Sequence, residues 1–554
     1  MLRNGERSGH RQRHKSMIDE KLTYGDTGPP NRRLIALAMF LVWLGVVSFL
    51  AWRHLVWRDE VKALSIALQG NTVFDMLQEL RWEGHPAVWY LLLRAGHVLF
   101  PHPGVLKLLS ISVAAVAVLI LVLRAPFSVA FLALILATRF SVVEYSVVAR
   151  NYGISMLLIF LFAALYERHR NRDCWLGALL FMLANCNVHS ALLAGGLLSF
   201  WLVDILCDKA ADRPRAIRMF LYNATLAAIG IVTCFVTVYP ASSDSIGIDP
   251  TTLNFKTIIE GIFLPSLQFK EALVLPGAGR LATAIPLLTK PLVILQSLIL
   301  FGSTLGLIRR TGAFVAALTT LVGMSLFFVV VYPGYYRHQA LWLVFLVGMY
   351  WLALSGRPRG ETVSPVLLKP IARRLSTAGT LLFALVLLLQ CGYSAQKIFG
   401  IVRNPVAALA SRGDNVISIL GGDPDLRQAV IIADPDYLLE TLPYYVSNPT
   451  YLVREQRYGN IVHFTRAAKL ELSLEDVVAN GRRLRQETGR PVVILFSHEI
   501  DRSLPAQVYH EGYTWKFITT PEQVRSFQMS TRFLKHHLAP EETDEGYYAY
   551  VMKE

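Results

Sequence analysis

The stretch LIALAMFLVWLGVVSFLAW, residues 34–52, decides the class of this protein. As an α-helix it spans about 28 Å, close to the roughly 30 Å of a bilayer's hydrocarbon core. A long basic segment precedes it and no small-residue cleavage site ends it at residues 49–52, which favours a retained anchor over a signal peptide. Of the 554 residues, 53% are hydrophobic and 17% are charged, which is typical of a polytopic membrane protein and excludes a single soluble core.

Ten further apolar runs follow the first one. They occupy residues 104–123, 126–142, 152–166, 175–189, 191–206, 216–239, 286–308, 312–332, 339–355 and 375–392. Together with the first run they predict about eleven transmembrane helices, and hence a mainly α, polytopic fold over residues 34–394.

Residues 86–100, PAVWYLLLRAGHVLF, form an ambiguous run, because they contain Arg94 and His97 and reach only about 22 Å as a helix. The distribution of Lys and Arg decides between two topologies. If this run crossed the membrane, the basic segments 167–172 and 208–218 would both lie outside the cell, against the positive-inside rule. We therefore predict that residues 86–100 lie at the membrane surface and that the N-terminus is cytoplasmic.

This topology predicts a multi-pass protein of the cytoplasmic (inner) membrane with a flexible, polar N-terminus at residues 1–33. Val61, Leu64 and Leu68 share one face of a predicted helix in the first outer loop, which predicts an amphipathic helix on the lipid surface. The segments predicted to lie outside are the loops 53–103, 143–151, 240–285 and 333–338, together with the tail from residue 395.

The composition changes at about residue 395 to that of a soluble domain. Residues 429–433 (AVIIA) and 492–496 (VVILF) are typical of strands. A helix is predicted over residues 473–487, which open with the helix-start sequence Ser-x-x-Asp. We therefore predict a C-terminal α/β domain over residues 395–554, outside the membrane.

The formal net charge of +14 does not indicate a nucleic-acid-binding protein. Much of the Lys and Arg lies in short segments between apolar runs, where the positive-inside rule places it. The five cysteines are odd in number, lack CxxC spacing and lie within or beside apolar runs. They therefore indicate neither a disulfide framework nor a metal site.

Asp59 and Glu60 follow the first predicted span on its outer side. Adjacent side chains on a helix point about 100° apart, so one carboxylate can act while its neighbour positions it. A carboxylate at the mouth of a partly desolvated cavity can take a proton from an acceptor hydroxyl, and Asp59 is the predicted general base. The alternative is an acidic pair that only stabilises the amino-terminal dipole of the following helix.

Two further outer segments carry side chains suited to phosphate. His85 opens the interfacial run at headgroup level, and Arg150 follows Glu144 in the second outer loop. The planar fork of an arginine donates two hydrogen bonds at once to a phosphate. The alternatives are a surface histidine, an interfacial cap for Glu144, and an arginine that only extends to the headgroups at a helix end.

Arg337 and His338 lie between two predicted spans on the outer side, where the positive-inside rule disfavours arginine. Arg337 is therefore a candidate functional residue. His338 and His189, which ends an earlier predicted span on the same side, are candidates for substrate contacts. The tyrosines beside Arg337 are also compatible with ordinary interfacial aromatic residues.

Residues 34–355 resemble the membrane glycosyltransferases of the GT-C superfamily. The similar branch contains protein O-mannosyltransferases, aminoarabinose transferases and lipopolysaccharide-core galacturonosyltransferases. In that family the first outer loop carries an Asp-Glu pair, followed by a His-Pro or Lys-Pro step before an aromatic-aliphatic run. Asp59-Glu60 and His85-Pro86 are similar to these two features in order and context.

A second family feature is an outer loop with Tyr, Arg and a following Tyr, to which Tyr145, Arg150 and Tyr152 are similar. The resemblance implies that Asp59 is the base that deprotonates the acceptor. It also implies that His85 and Arg150 contact the phosphate of a polyprenyl-phosphate sugar, with the two tyrosines as further substrate contacts.

The resemblance maps a second outer-loop acid onto Glu144 and makes loop 240–285 the cover of the cavity. This loop lacks the His and Arg cluster of the family, so the remaining phosphate contact is assigned to Arg337. Single acidic positions in place of a DxD motif speak against a tightly bound divalent metal, and no other cofactor is implied.

The resulting prediction is an inverting glycosyltransferase that moves a sugar from a polyprenyl-phosphate donor to an envelope glycolipid, glycan or protein. Two rivals stay open. A polysaccharide ligase or polymerase would use outer-loop Arg and His without needing Asp59. A lipid-linked glycan transporter or flippase would carry buried ionisable residues in the middle of its spans, of which the predicted spans are nearly free.

Overall fold

The structure is a computed structural model that combines a helical bundle with a C-terminal α/β region. It describes residues 31–54, 56–80, 83–208, 212–239, 254–355, 369–403, 420, 423–501, 504–510, 514–537 and 546–553. The predicted flexible N-terminus and the first part of the predicted loop 240–285 lie largely outside the described residues.

The α-helices of the bundle are α1 (Asn31–Arg53), α2 (Arg58–Ala67), α3 (Val73–Glu79), α4 (Val88–Leu99), α5 (Val105–Arg124), α6 (Val129–Leu136), α7 (Tyr152–His169), α8 (Trp175–Ala184), α9 (Val188–Cys207), α10 (Arg213–Val238), α11 (Phe255–Phe263), α12 (Ala278–Ala284), α13 (Thr289–Thr304), α14 (Thr311–Val330), α15 (Tyr336–Ser355) and α16 (Lys369–Arg403). A π-helical turn, Phe140–Glu144, separates α6 from α7.

Within the described residues, eight helices are long and apolar enough to cross a membrane. They are α1, α5, α9, α10, α13 with its flanking turns, α14, α15 and α16. The other three predicted spans fall on α6, α7 and α8, of which α6 has 8 residues and α8 has 10. A mainly helical, multi-pass membrane protein is therefore confirmed, and the number of eleven spans stays a prediction.

Two hydrogen bonds show that α1 and α5 run in opposite directions. Arg32, at the start of α1, donates to the carbonyl of Ala125 at 3.0 Å, directly after the end of α5. Lys107, in the first turn of α5, donates to the carbonyl of His54 at 2.7 Å, directly after the end of α1. The segment 54–104 therefore starts and ends at the same end of the bundle, which we call the α2 end. Helix α4 does not cross the bundle, in agreement with the charge distribution.

Helix α2 is buried in protein, so the prediction that it lies on a lipid surface is wrong. Val61 and Leu64 are fully buried, and only Leu68, just after the helix, is exposed. The apolar side chains of α2 belong to the same hydrophobic core as the long bundle helices. Ile461 and Tyr444 of the C-terminal region pack against that core as well. The amphipathic pattern of α2 therefore reflects packing between two parts of the protein.

The opposite end of the bundle is held by a buried charge cluster. Arg170, after α7, lies 3.2 Å from both Asp204 and Asp208, near the end of α9. Arg310, before α14, contacts Asp204 at 3.0 Å, and the hydroxyl of Tyr166 donates to the same carboxylate at 3.0 Å. These bonds join three helices where their ends meet.

The C-terminal α/β region is confirmed. It contains β1 (Val430–Asp434), β2 (Thr450–Leu452), β3 (Arg457–Tyr458), β4 (Glu471–Ser473), α17 (Leu474–Thr488), β5 (Val492–Phe496), β6 (Gln507–His510), β7 (Lys516–Thr519), α18 (Pro521–Ser530), β8 (Thr531–His537) and β9 (Tyr547–Met552). The larger sheet has the order β3-β2-β1-β5-β9-β8, in which β1 is parallel to both β2 and β5. The smaller sheet has the order β4-β7-β6.

Both predicted strands and the predicted helix of this region are present. The pair β1 and β5 is in register, with Ile431 opposite Val493, and every residue of both strands is buried. Ser473 caps α17 by accepting a hydrogen bond from the Asp476 N–H. Helix α16 continues to Arg403, past the predicted start of the α/β domain.

Replacing Asp204 by alanine tests the charge cluster. Asp204→Ala leaves Arg170 and Arg310 buried without a shared counter-charge, so we expect the free energy of unfolding to fall by about 3–5 kcal/mol. The measurement is unfolding of the purified protein in detergent micelles. The control is Glu260→Ala, because Glu260 pairs with the exposed Lys256 and should cost about 0–1 kcal/mol. Equal losses in the two variants would contradict the assignment.

Candidate functional site

Asp59 lies in the first turn of α2 and is surrounded by guanidinium groups. Its Oδ2 atom is 3.3 Å from Arg337 Nη2 and 3.7 Å from Arg150 Nη1. Its Oδ1 atom is 3.6 Å from Arg58 Nε. The carboxylate side chain keeps 19% of its surface exposed, so a ligand can reach it.

Arg150 connects Asp59 to His85. Its Nη1 donates to the carbonyl oxygen of Asp59 at 2.6 Å, and its Nη2 lies 3.0 Å from His85 Nε2. Because a guanidinium group only donates, His85 Nε2 accepts and the imidazole proton lies on Nδ1. Asp59, His85, Arg150 and Arg337, which were predicted as one site from three separate loops, are therefore brought together.

Glu60 holds this arrangement in place from the buried side of α2. Its side chain is fully buried, and Oε1 accepts a hydrogen bond from the Ala149 N–H at 2.6 Å. Its Oε2 accepts from the Trp57 N–H at 3.0 Å and lies 2.8 Å from His54 Nε2. Since Ala149 precedes Arg150, Glu60 fixes the backbone that presents the Arg150 side chain. This is the geometry of a positioning residue, and a direct catalytic role for Glu60 stays a prediction.

The surrounding cations control the ionisation of Asp59. Burial by itself raises the pKa of this carboxyl group. Four cations more than offset burial and hold the Asp59 pKa well below its usual range; in order of decreasing effect they are Arg150, Arg58, Arg337 and Lys62. Asp59 is therefore an anion at physiological pH.

His85 is neutral at physiological pH. The pKa of its imidazole is lowered to about 3, mainly by burial, and the charge of Arg150 lowers this pKa by more than the charge of Asp59 raises it. His85 therefore contributes a hydrogen-bond donor and an acceptor to the site, without adding positive charge.

Glu144 and Tyr145 support the other side of the site. The Glu144 carboxylate binds Arg139, with Oε1 2.7 Å from Nη2. The Arg139 guanidinium lies 3.9 Å from the centre of the Tyr336 ring. The Tyr145 hydroxyl donates to the carbonyl of Arg337 at 2.8 Å. These contacts hold the start of α15, and the predicted catalytic role of Glu144 stays a prediction.

Tyr152, His189 and His338 form an aromatic group at the α2 ends of α7, α9 and α15. The ring centres of His189 and His338 are 4.7 Å apart, and those of Tyr152 and His338 are 5.4 Å apart. His338 Nδ1 accepts from the Tyr335 N–H at 2.9 Å. Within the described part of the chain, the Tyr152 hydroxyl and His189 Nε2 are buried without a hydrogen-bond partner.

Sequence reasoning missed Lys62, Glu83 and Glu440, which form the side of the site next to the α/β region and are called its outer wall. Lys62 Nζ lies 3.2 Å from Glu83 Oε2 and 3.3 Å from Glu440 Oε1. A signal for Arg58 and Lys62 was present, because they are cations that flank Asp59 in a loop where the charge bias disfavours them. No pattern in the sequence connects Glu440 of the α/β region with this loop.

The set of side chains around Asp59 suits an anion. Its guanidinium and ammonium groups attract phosphate and repel a divalent cation. Among the residues that the structure describes, no group of three or more His, Cys, Asp and Glu residues is arranged to hold a metal ion.

Comparison with protein-family models, with curated proteins and with solved structures finds no match.

His85 gives a prediction about the pH dependence of stability. Its pKa is about 3 in the folded protein and about 6.5 in the unfolded chain, so stability is complete above pH 6.5 and falls as the pH approaches 3. At pH 5 the loss amounts to about 2 kcal/mol. His85→Gln keeps an acceptor for Arg150 but does not titrate, so its unfolding midpoint in detergent should fall less between pH 7.5 and pH 5.

The control for this experiment is His510→Gln, at an exposed position on β6. This variant should lose as much stability as the wild type. The assignment of a neutral, buried His85 is contradicted when His85→Gln and the wild type show the same change with pH.

Proposed function

We propose that this protein is an inverting, polyprenyl-phosphate-dependent glycosyltransferase with a GT-C-like fold. The observation that carries the proposal is one partly exposed carboxylate, Asp59, held between Arg150 and Arg337 at the end of a membrane bundle. The distribution of Lys and Arg supports an α2 end on the outer face of the cytoplasmic membrane. The acceptor is then a glycolipid, glycan or protein of the cell envelope.

Arg150 and Arg337 supply the donor-phosphate site in this proposal. Both contact the Oδ2 atom of Asp59, and a phosphate oxygen of the donor can bind the same two guanidinium groups. The phosphate would then share the positive charge that holds the Asp59 pKa low. Loss of that compensation raises the pKa of Asp59 and makes it a stronger base once the donor is bound.

The transfer step follows from these positions. Asp59 takes the proton of an acceptor hydroxyl, and the acceptor oxygen forms a bond to C1 of the sugar. The bond between C1 and the phosphate oxygen breaks with its electron pair, and polyprenyl phosphate leaves. Arg150 and Arg337 stabilise the charge that grows on the leaving phosphate. His85 accepts from Arg150, which leaves its Nδ1 proton available to the phosphate.

An apolar cavity in the bundle supports a lipid donor. It has a volume of about 820 Å³ and lies between the loop 274–280 and the part of α16 around residues 388–396. Gln390 of α16 hydrogen-bonds to the Tyr336 hydroxyl, directly before Arg337. A hydrocarbon chain in this cavity would therefore lie along a helix that contacts the start of α15, which carries Arg337. The Tyr152 hydroxyl and His189 Nε2, which have no hydrogen-bond partner among the described residues, are candidates for contacts to the sugar.

The low pKa of Asp59 favours one second candidate, a polysaccharide ligase or polymerase. In that reaction outer-loop Arg and His would bind the lipid-linked donor, and Asp59 would only position Arg150 and Arg337. The two candidates differ in whether transfer requires a base at residue 59.

Two substitutions separate donor binding from proton transfer. Asp59→Asn removes the base and one negative charge, so transfer should fall by about 10²- to 10⁴-fold, while binding of polyprenyl phosphate is retained or strengthened. Arg150→Ala should weaken both binding and transfer. Binding is measured by the thermal shift of the purified protein with polyprenyl phosphate. Transfer is measured by mass spectrometry of envelope glycolipids and polysaccharides in a deletion strain that expresses each variant.

The matched control is Asp75→Asn, which changes a half-buried capping residue of α3 in the same loop. It should leave transfer unchanged. Full transfer by Asp59→Asn would favour the ligase or polymerase. A wild-type protein that binds no polyprenyl phosphate and changes no envelope glycan would overturn the proposed function, and lipid translocation without product would favour a flippase.

A further inference from the structure

The C-terminal α/β region contacts the candidate site through the turn that follows β1. The Arg58 guanidinium lies 4.4 Å from the centre of the Tyr437 ring in this turn. The next contact is Glu440, with Oε1 3.3 Å from Lys62 Nζ and Oε2 3.9 Å from Arg58 Nε. The α/β region therefore binds both cations that flank Asp59 on α2.

The sheet topology explains why these residues meet α2. Strand β1 has parallel neighbours on both sides, β2 and β5. After β1 the chain forms β2 on one side of it and later β5 on the other side, so the strand order reverses at β1. The carboxyl ends of parallel strands at such a reversal form the usual binding crevice of an open α/β sheet. The turn after β1 lies at this edge, and Arg58 and Lys62 reach the residues of that turn.

Lys62 is enclosed by the α/β region and by the loop that carries His85. Its Nζ donates to the carbonyl of Val462 at 3.2 Å and lies 5.2 Å from the centre of the Phe464 ring. Its exposed fraction is 9%, and that of Glu440 is 1%. Burial raises the pKa of Glu440, and Lys62 opposes this rise, so the carboxylate depends on the contacts that it makes. Removing one partner of such a buried pair leaves an uncompensated charge.

The ion pair between Lys62 and Glu83 extends this effect to His85. Glu83 lies 3.2 Å from Lys62 and two residues before His85. Gly84 between them has a φ of +68°, which favours glycine and makes a tight turn. The position of Lys62 therefore sets the turn that presents His85 to Arg150.

We propose that Glu440 is a positioning residue of the transfer site, supplied by the C-terminal α/β region. Glu440 balances the charge of Arg58 and Lys62, and through them it sets the positions of Asp59 and His85. This inference rests on the proposed glycosyl transfer. It assigns to the α/β region a part in building the site in addition to any role in binding an acceptor.

The test is Glu440→Gln, which removes the charge and keeps an oxygen that can accept from the Val462 N–H, 3.1 Å away. We expect transfer to fall by about 10- to 100-fold, because small displacements of reacting groups cost this much. Glu440→Asp retains the charge and should recover part of the activity. Hydrogen exchange of α2 should show unchanged protection, because the other contacts of the interface remain.

The matched control is Glu79→Gln at the same interface. Glu79 contacts His463 of the α/β region at 3.0 Å and lies on α3, away from the first turn of α2. It should retain nearly full transfer. A second test combines Glu440→Gln with Lys62→Met. Since Glu440 acts through Lys62, the Gln substitution should cost less in the Lys62→Met background than in the wild type.

Three outcomes would overturn the inference. The first is wild-type transfer by Glu440→Gln. The second is an equal loss in Glu440→Gln and Glu79→Gln together with loss of α2 protection, which would mean that Glu440 only docks the α/β region. The third is a wild-type protein without transfer or polyprenyl-phosphate binding, which would remove the proposed function and this inference with it.

Discussion

The buried carboxylate of Glu60 is the constraint on which the α2 end of this protein depends. It is fully buried, accepts backbone N–H bonds from Trp57 and Ala149, and contacts His54. A buried carboxyl group must have its hydrogen-bonding capacity met by protein atoms. Glu60 therefore ties together the end of α1, the start of α2 and the loop before Arg150. Its neighbour Asp59 is left facing the cations.

The charges around Asp59 form a linked system. Arg58 and Lys62 flank Asp59 on α2, while Arg150 and Arg337 come from two other loops. Such a concentration of positive charge is stable only with counter-charges, which this structure draws from Glu83 and from Glu440 of the α/β region. The same arrangement gives an anionic ligand a place to bind, since it can take over contacts that Asp59 makes in its absence.

Some of this organisation follows from local patterns. Long apolar runs predict the helices that can cross a membrane, because burial in lipid requires about twenty consecutive apolar residues. The charge bias correctly keeps α4 at one end of the bundle. The short apolar runs at 429–433 and 492–496 predict β1 and β5, and the helix-start sequence Ser-x-x-Asp predicts α17. The motif resemblance predicts that Asp59, His85 and Arg150 meet.

Other features depend on contacts between distant segments. The run at 126–142 predicts one span, whereas the structure has the short α6 and a π-helical turn. The amphipathic pattern of α2 predicts a lipid surface, whereas its apolar face packs in protein, because periodicity does not distinguish lipid from protein as the apolar partner.

The sequence by itself determined the membrane class, the α/β region and the residue types of the site, since these depend on composition and on short-range spacing. The tertiary structure alone decided that Glu60 binds the backbone beside Arg150 and that Glu440 pairs with Lys62. These roles arise from burial, which makes each charge depend on whichever partner the fold brings within a few ångströms.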